Sequence, residues 1–239
     1  MFTLKEINNE VLVFNKFMNY ISIPYFQSVI YDENMDACGK IKYEDISQNK
    51  YILYLSNQID KFSIKRQKSI IWHEFTHCFD YLAYKDKHDI KPLLKSYSEY
   101  HATLVEMHYL TDTSLSEKVN DTNIFIDWEE NQRRIVEINA DLAEDFLKHM
   151  IVFEKTGEPK IFNHAVNQFL YFCGSISLQS KAILLFNKLM DSYPSTLFKN
   201  ELISLGNAIL HRNVQLAVKT YKNMFEQAQI VSINKFIEK

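Results

Sequence analysis

Residues 70–82, IIWHEFTHCFDYL, place two histidines four apart, with a glutamate directly after the first, inside an apolar run. In an α-helix four residues advance about 400°, so His73 and His77 leave the same face one turn apart. Glu74 lies about 100° round from His73. The stretch therefore calls for a helix and for a second element that covers its histidine face. Ile70, Ile71, Phe75, Cys78, Phe79 and Leu82 are placed to bury the flanks of that face. The bland alternative is a buried helix carrying two histidines by coincidence, a risk in any chain with 8 histidines.

Elsewhere the chain has few places to turn, because only 4 glycines and 4 prolines occur in 239 residues. An amphipathic helix is expected over roughly residues 4–20, before Pro24 breaks the pattern. Three short runs rich in β-branched and aromatic residues follow: YFQSVIYD (25–32), CGKIKYED (38–45) and KYILYLSN (50–57). Turn-like ENMDA and ISQN separate them, which predicts a three-stranded antiparallel sheet with short connections. The histidine run then reads as a helix from about Ser63 to Tyr84, with Asp60 or Ser63 as N-cap, and another helix runs from near Ser96 to Leu110. From DTSLSEK onward everything reads helical, with breaks near NDTN, TGEP, CGS and SYPS. The expected fold class is α+β: a mixed part over residues 1–115, then an all-α region over residues 116–239.

Charge narrows the function classes. The 27 basic and 30 acidic residues are interspersed, so no basic stripe for nucleic acid is present. Cys38, Cys78 and Cys173 are widely spaced without a Cys-x-x-Cys pair, which points to a reducing compartment and not a disulfide framework. Lys5, Glu6 and Glu10 interrupt what would be the apolar core of a signal peptide, and no uncharged run reaches membrane-spanning length. A cytoplasmic protein with neither a nucleic-acid nor a membrane partner is expected.

Two imidazoles one helical turn apart can reach a single zinc ion at about 2.0–2.1 Å. Zinc lowers the pKa of a bound water to near 7, and Glu74 is placed to take its proton. A catalytic zinc also needs a third protein ligand and an open position. A histidine six residues after the second is excluded, since Ala83 stands there. His88 lies in a polar connector. Asp80 reaches poorly from the same helix and reads as a partner of a histidine or a solvated charge. On the next helix, SYSEYHATLVEMHYL, Glu99 and Glu106 share a face, as do His101 and His108.

HEFTH followed by SEYHA resembles the gluzincin metallopeptidases, nearest to their compact ImmA/IrrE-type branch. The resemblance implies a zincin-like domain in which His73, His77 and Glu99 hold Zn2+ and Glu74 is the general base. Ala102 takes the position of the small residue that lets the two helices approach. The likeness spans residues 24–110, including ACGKIKYEDISQNKYILYLSN as the sheet before the active-site helix. In such enzymes the final strand or its neighbour forms an exposed edge to which an extended peptide adds. The chain departs from the pattern at Thr103, where an Asp or Asn often bonds a zinc histidine. Loss of such a partner commonly costs about 10- to 100-fold in metal affinity or activity.

The implied activity is hydrolysis of a peptide bond in a protein or peptide substrate, regulatory proteins such as repressors being common substrates of similar enzymes. The alternative is a regulatory or interaction protein on a zincin scaffold with little proteolysis. Tyr97, His101, His108, Tyr109 and His211 are all able to donate to an oxyanion, and none is singled out. In the C-terminal region Ile135, Ile138, Leu142 and Phe146 recur at helical spacing, which predicts a bundle packed beside the catalytic part. His149, His164 and His211 have no partners at metal spacing and receive no role. SLQSKAILLFNKL could pass for part of a helix-turn-helix, but no basic residues cluster around it.

Overall fold

Thr3 starts the first helix, α1 (Leu4–Met18): its hydroxyl accepts from the Glu6 amide, and the Glu6 carboxylate accepts from the Thr3 amide. Asn19, in the left-handed conformation at φ 65°, ends it. The computed structural model describes residues 1–19, 21–45, 50–87, 94–126 and 131–237.

Three strands follow, β1 (Ser28–Asp32), β2 (Gly39–Asp45) and β3 (Lys50–Ser56), in the spatial order β1-β3-β2. β3 runs antiparallel to β2 but parallel to β1. The sheet is therefore mixed, and the expected antiparallel pairing is corrected for β1. The chain does reverse at ENMDA, but the place beside β1 is taken by β3. Tyr51, Leu53 and Leu55 are fully buried and Ile52 nearly so. A strand covered on both faces belongs at the centre of a sheet, and the order leaves β2 as an outer strand.

Helix α2 (Ile64–Ala83) is capped by the Ser63 hydroxyl, which accepts from the Arg66 amide, while Asp60 instead pairs with the N-terminal amine. Helix α3 (Leu94–Leu110) packs against it. The first core joins α1, the sheet and α2, with Phe75 between Phe14 and Phe26 at ring distances of 5.5 and 5.2 Å.

The expected all-α region over residues 116–239 is corrected by a short antiparallel pair, β4 (Ile124–Ile126) and β5 (Gln132–Arg134). Helix α4 (Ile135–Thr156) begins only at Ile135, because Arg134 is still extended and the Ile135 amide donates to Asn123. Gly157, at φ 68°, ends α4, and Pro159 opens α5 (Pro159–Ser177). The expected break at CGS is also corrected, since Gly174 lies inside α5. A Cβ there would come within 2.8 Å of Thr103 Cβ and 2.9 Å of the Tyr100 carbonyl oxygen. This glycine permits close approach of α5 to α3; it does not end a helix.

Helices α6 (Ala182–Ser192), α7 (Lys199–Leu210) and α8 (Val214–Ile237) complete eight helices among the described residues. They form a second core with α3, α4 and α5, rich in phenylalanine. Helix α3 serves both cores: Val105 faces the first, while Leu94, Tyr100 and Leu104 face the second. The fold is thus α+β and mostly helical, with α3 as the shared wall. Among the described residues no helix is long and apolar enough to cross a membrane.

Candidate metal centre

Helices α2 and α3 bring together three residues singled out in the sequence. The Glu99 Oε2 lies 3.6 Å from His73 Nε2 and 3.8 Å from His77 Nε2, and the two imidazole rings are 4.9 Å apart. One ligand atom from each residue lies within 4.8 Å of the others. Ligands held at about 2.0–2.1 Å by a tetrahedral ion are separated by roughly 3.3–3.5 Å, so the three donors need little adjustment to share one ion. Ala102 is fully buried on α3, one turn after Glu99. Asp80 is not part of the set, its Oδ1 lying 2.7 Å from His101 Nδ1. His88 lies outside the described residues.

The remaining ring nitrogens are held from behind. His73 Nδ1 is 3.0 Å from Glu106 Oε2, and the other oxygen of Glu106 pairs with Arg66 at 2.9 Å. His77 Nδ1 is 2.7 Å from the Ser98 hydroxyl. Such contacts fix the tautomer that turns Nε2 toward a metal. Thr103 makes no contact of this kind, for its hydroxyl donates to the Glu99 carbonyl oxygen at 2.9 Å. The side chain that bonds His73 from α3 is Glu106 and not Thr103. In the sequence Glu106 shares the face of Glu99, with no role assigned to it. Its spacing of seven from Glu99 was the available signal.

Burial governs the charges. It opposes ionisation of Glu99, yet the hydrogen bond from His73 and the two histidine charges hold that carboxyl down at about 2. Burial pushes His77 down to about 4, leaving the neutral imidazole that a metal requires. Burial also opposes charge on His73, but hydrogen bonds to Glu106 and Glu99 outweigh it and raise His73 well above its ordinary value. Glu74 is pushed up to about 7 by burial first, with the Glu99 and Glu106 charges adding and His73 opposing. A carboxyl near neutrality suits general-base work.

Raised above its ordinary value, His73 favours a bound proton with which an incoming ion must compete. Zinc binding is expected to release this proton, and the apparent affinity to rise about tenfold per pH unit while the pH stays below the raised pKa of His73. Calorimetric titration in buffers of different ionisation enthalpy measures the release.

A cavity of about 580 Å³ opens at the centre. Gly39 on β2 forms one rim, and a Cβ there would fall 2.6 Å from Glu74 Cγ. The Ile41 backbone, also on β2, bonds the Glu74 carboxyl. The strand along the cleft is thus the outer strand β2, the neighbour of the final strand. The opposite wall comes from the C-terminal region, with Ile138 and Leu142 of α4 and Tyr171 of α5. The Tyr171 ring lies 6.4 Å from that of His73. Burial first, then the neighbouring carboxylates, raise its pKa and keep the phenol protonated.

None of the five donors named from sequence lines this cavity. Tyr97 packs on Tyr100 and His101, and His101 is bound to Asp80. His108 bonds Thr113, Tyr109 packs on Trp72 at 4.6 Å, and His211 is exposed at the end of α7. Tyr171 carries no local sequence signal. It is positioned by the close α3–α5 contact at Gly174.

Comparison of the chain with protein-family models, with curated proteins and with solved structures gives no match.

Proposed function

We propose that the chain is a zinc-dependent endopeptidase of the gluzincin type, nearest in residue pattern to the ImmA/IrrE-type enzymes, that hydrolyses a peptide bond of a protein substrate. The observation that carries this reading is the convergence of His73, His77 and Glu99 beside the buried carboxyl of Glu74. Two imidazole nitrogens and one carboxylate oxygen are a donor set that suits zinc. When bound, the ion supplies a Lewis acid and makes water acidic enough to lose a proton near neutral pH.

Each protein group then has a task. Glu74 accepts the proton of the attacking water and delivers it to the departing amine, its side chain held against β2 by Gly39 and Ile41. The outer strand β2 can pair with the substrate backbone, setting the scissile carbonyl beside Glu74. The phenol of Tyr171 faces the same cavity and donates to the oxygen on which negative charge develops. Glu106 and Arg66 keep His73 in register.

Tyr171→Phe removes that donor without removing a metal ligand. The turnover number is expected to fall about 10²–10³-fold, with KM and metal content little changed. Steady-state kinetics on a cleaved peptide, with parallel metal analysis, measure both.

The reading as a scaffold with little proteolysis drew on Thr103. With a carboxylate on Glu106 at His73, that ground favours an active enzyme instead. A comparison of protein N-termini in cells carrying wild type or Glu74→Gln tests the proposal. New N-termini that depend on Glu74 support it, and indistinguishable sets of N-termini oppose it.

A further inference from the structure

A second group of metal-ligating side chains lies on the helical wall, outside the centre described above. Asp145 and His149 stand one turn apart on α4, and His164 faces them from α5. Asp145 Oδ2 is 2.8 Å from His164 Nε2, and Asp145 Oδ1 is 3.0 Å from His149 Nδ1. The rings of His149 and His164 are 4.3 Å apart. One ligand atom from each of the three residues lies within 4.8 Å of the others.

We propose that Asp145, His149 and His164 form a second binding site for a divalent transition-metal ion, which clamps α4 to α5. The donor chemistry sets the class of ion. Two imidazoles and one carboxylate favour zinc, cobalt or nickel over calcium and magnesium, which seek oxygen-rich shells. His149 Nδ1 donates to the Asp145 carbonyl oxygen at 2.8 Å, which holds the ring against α4. The three side chains are 28–46% exposed, which leaves room for water to complete the coordination.

The histidines carried no metal spacing in the sequence, because His164 reaches the site only through the antiparallel turn between Gly157 and Pro159. Asp145 and His149, four apart on one helix, were half of the signal. The site acts on the cavity wall. Asp141, one turn before Asp145, pairs with Arg133 at 2.6 Å, and both residues line the catalytic cavity together with Leu142. An ion at this site therefore fixes the two helices that carry Leu142 and Tyr171. The inference stands independently of peptidase activity.

The test is zinc titration of the full-length protein, by equilibrium dialysis with metal analysis and by thermal unfolding. Wild type is expected to bind a second equivalent, and the melting temperature to rise by about 5–10 °C between one equivalent and zinc at a hundredfold excess over the second dissociation constant. The His149→Ala/His164→Ala variant should lose the second equivalent and this rise while keeping the first. His73→Ala should do the reverse, so failure of the α2–α3 centre is told apart from failure of this one. His164→Gln, changing one exposed side chain, repeats the test if the double variant folds poorly. The inference is overturned if wild type takes up no equivalent beyond that lost in His73→Ala, or if the double variant takes up as much zinc as wild type.

Discussion

Glu74→Gln is expected to lower the turnover number for peptide hydrolysis by about 10²–10⁴-fold, the usual weight of a general base, while leaving metal content unchanged. The amide keeps the shape of the carboxylate, so the contact with Gly39 and the bond from Ile41 can survive. It cannot accept a proton. Glu74 is not among the atoms that converge on the ion position, so neither His73, His77 nor Glu99 loses a partner. The pairing of outcomes is the informative part, and it is read from kinetics and metal analysis of one preparation. Lost activity with lost metal would mean that Glu74 serves the metal and not the proton. Full activity would remove it from the mechanism.

The second large effect concerns stability. Arg66 and Glu106 form an ion pair at 2.9 Å whose side chains are 3% and 7% exposed. Arg66→Ala leaves the Glu106 carboxylate buried, with His73 and the Ser69 hydroxyl as its remaining partners among the described residues. Removing one partner of a buried pair costs about 3–5 kcal/mol, which lowers the melting temperature of a chain this size by about 10 °C. Neutralising the partner as well, in Arg66→Ala/Glu106→Gln, should recover part of the loss. Thermal unfolding in the presence of a chelator measures it, because bound metal would add its own stabilisation. A change within about 0.5 kcal/mol, typical of surface positions, would mean that the pair is solvated.

How far the sequence disclosed this arrangement depends on the range of each interaction. Helix α2 was legible because its determinants are local: the Ser63 cap, the apolar flanks and the four-residue histidine spacing. The position of Glu99 came from resemblance, and the structure brings it to the two histidines. The three strands were legible as segments, but their order was not, since it depends on which strand is best buried on both faces. The β4–β5 pair has strands of three residues, too short to show alternation against the helical pattern around it.

Gly174 reads as a breaker only when its neighbour is ignored. Thr103 lies against it from α3, and the missing Cβ is what lets the two helices meet. Tyr171 and His164 escaped for the same reason. Each acquires partners through helix packing between residues far apart in the chain. Glu106 was the intermediate case, visible on the correct face but without a stated duty until His73 was seen to bond it.

Every proposed step requires one ion held between α2 and α3. Crystals of the zinc-loaded protein, measured on both sides of the zinc absorption edge, test it most directly. An anomalous peak is expected at about 2.0–2.2 Å from His73 Nε2, His77 Nε2 and a Glu99 carboxylate oxygen, absent from crystals of His73→Ala. A zinc-saturated crystal with no peak at those three atoms, or with a peak that persists unchanged in His73→Ala, would contradict it.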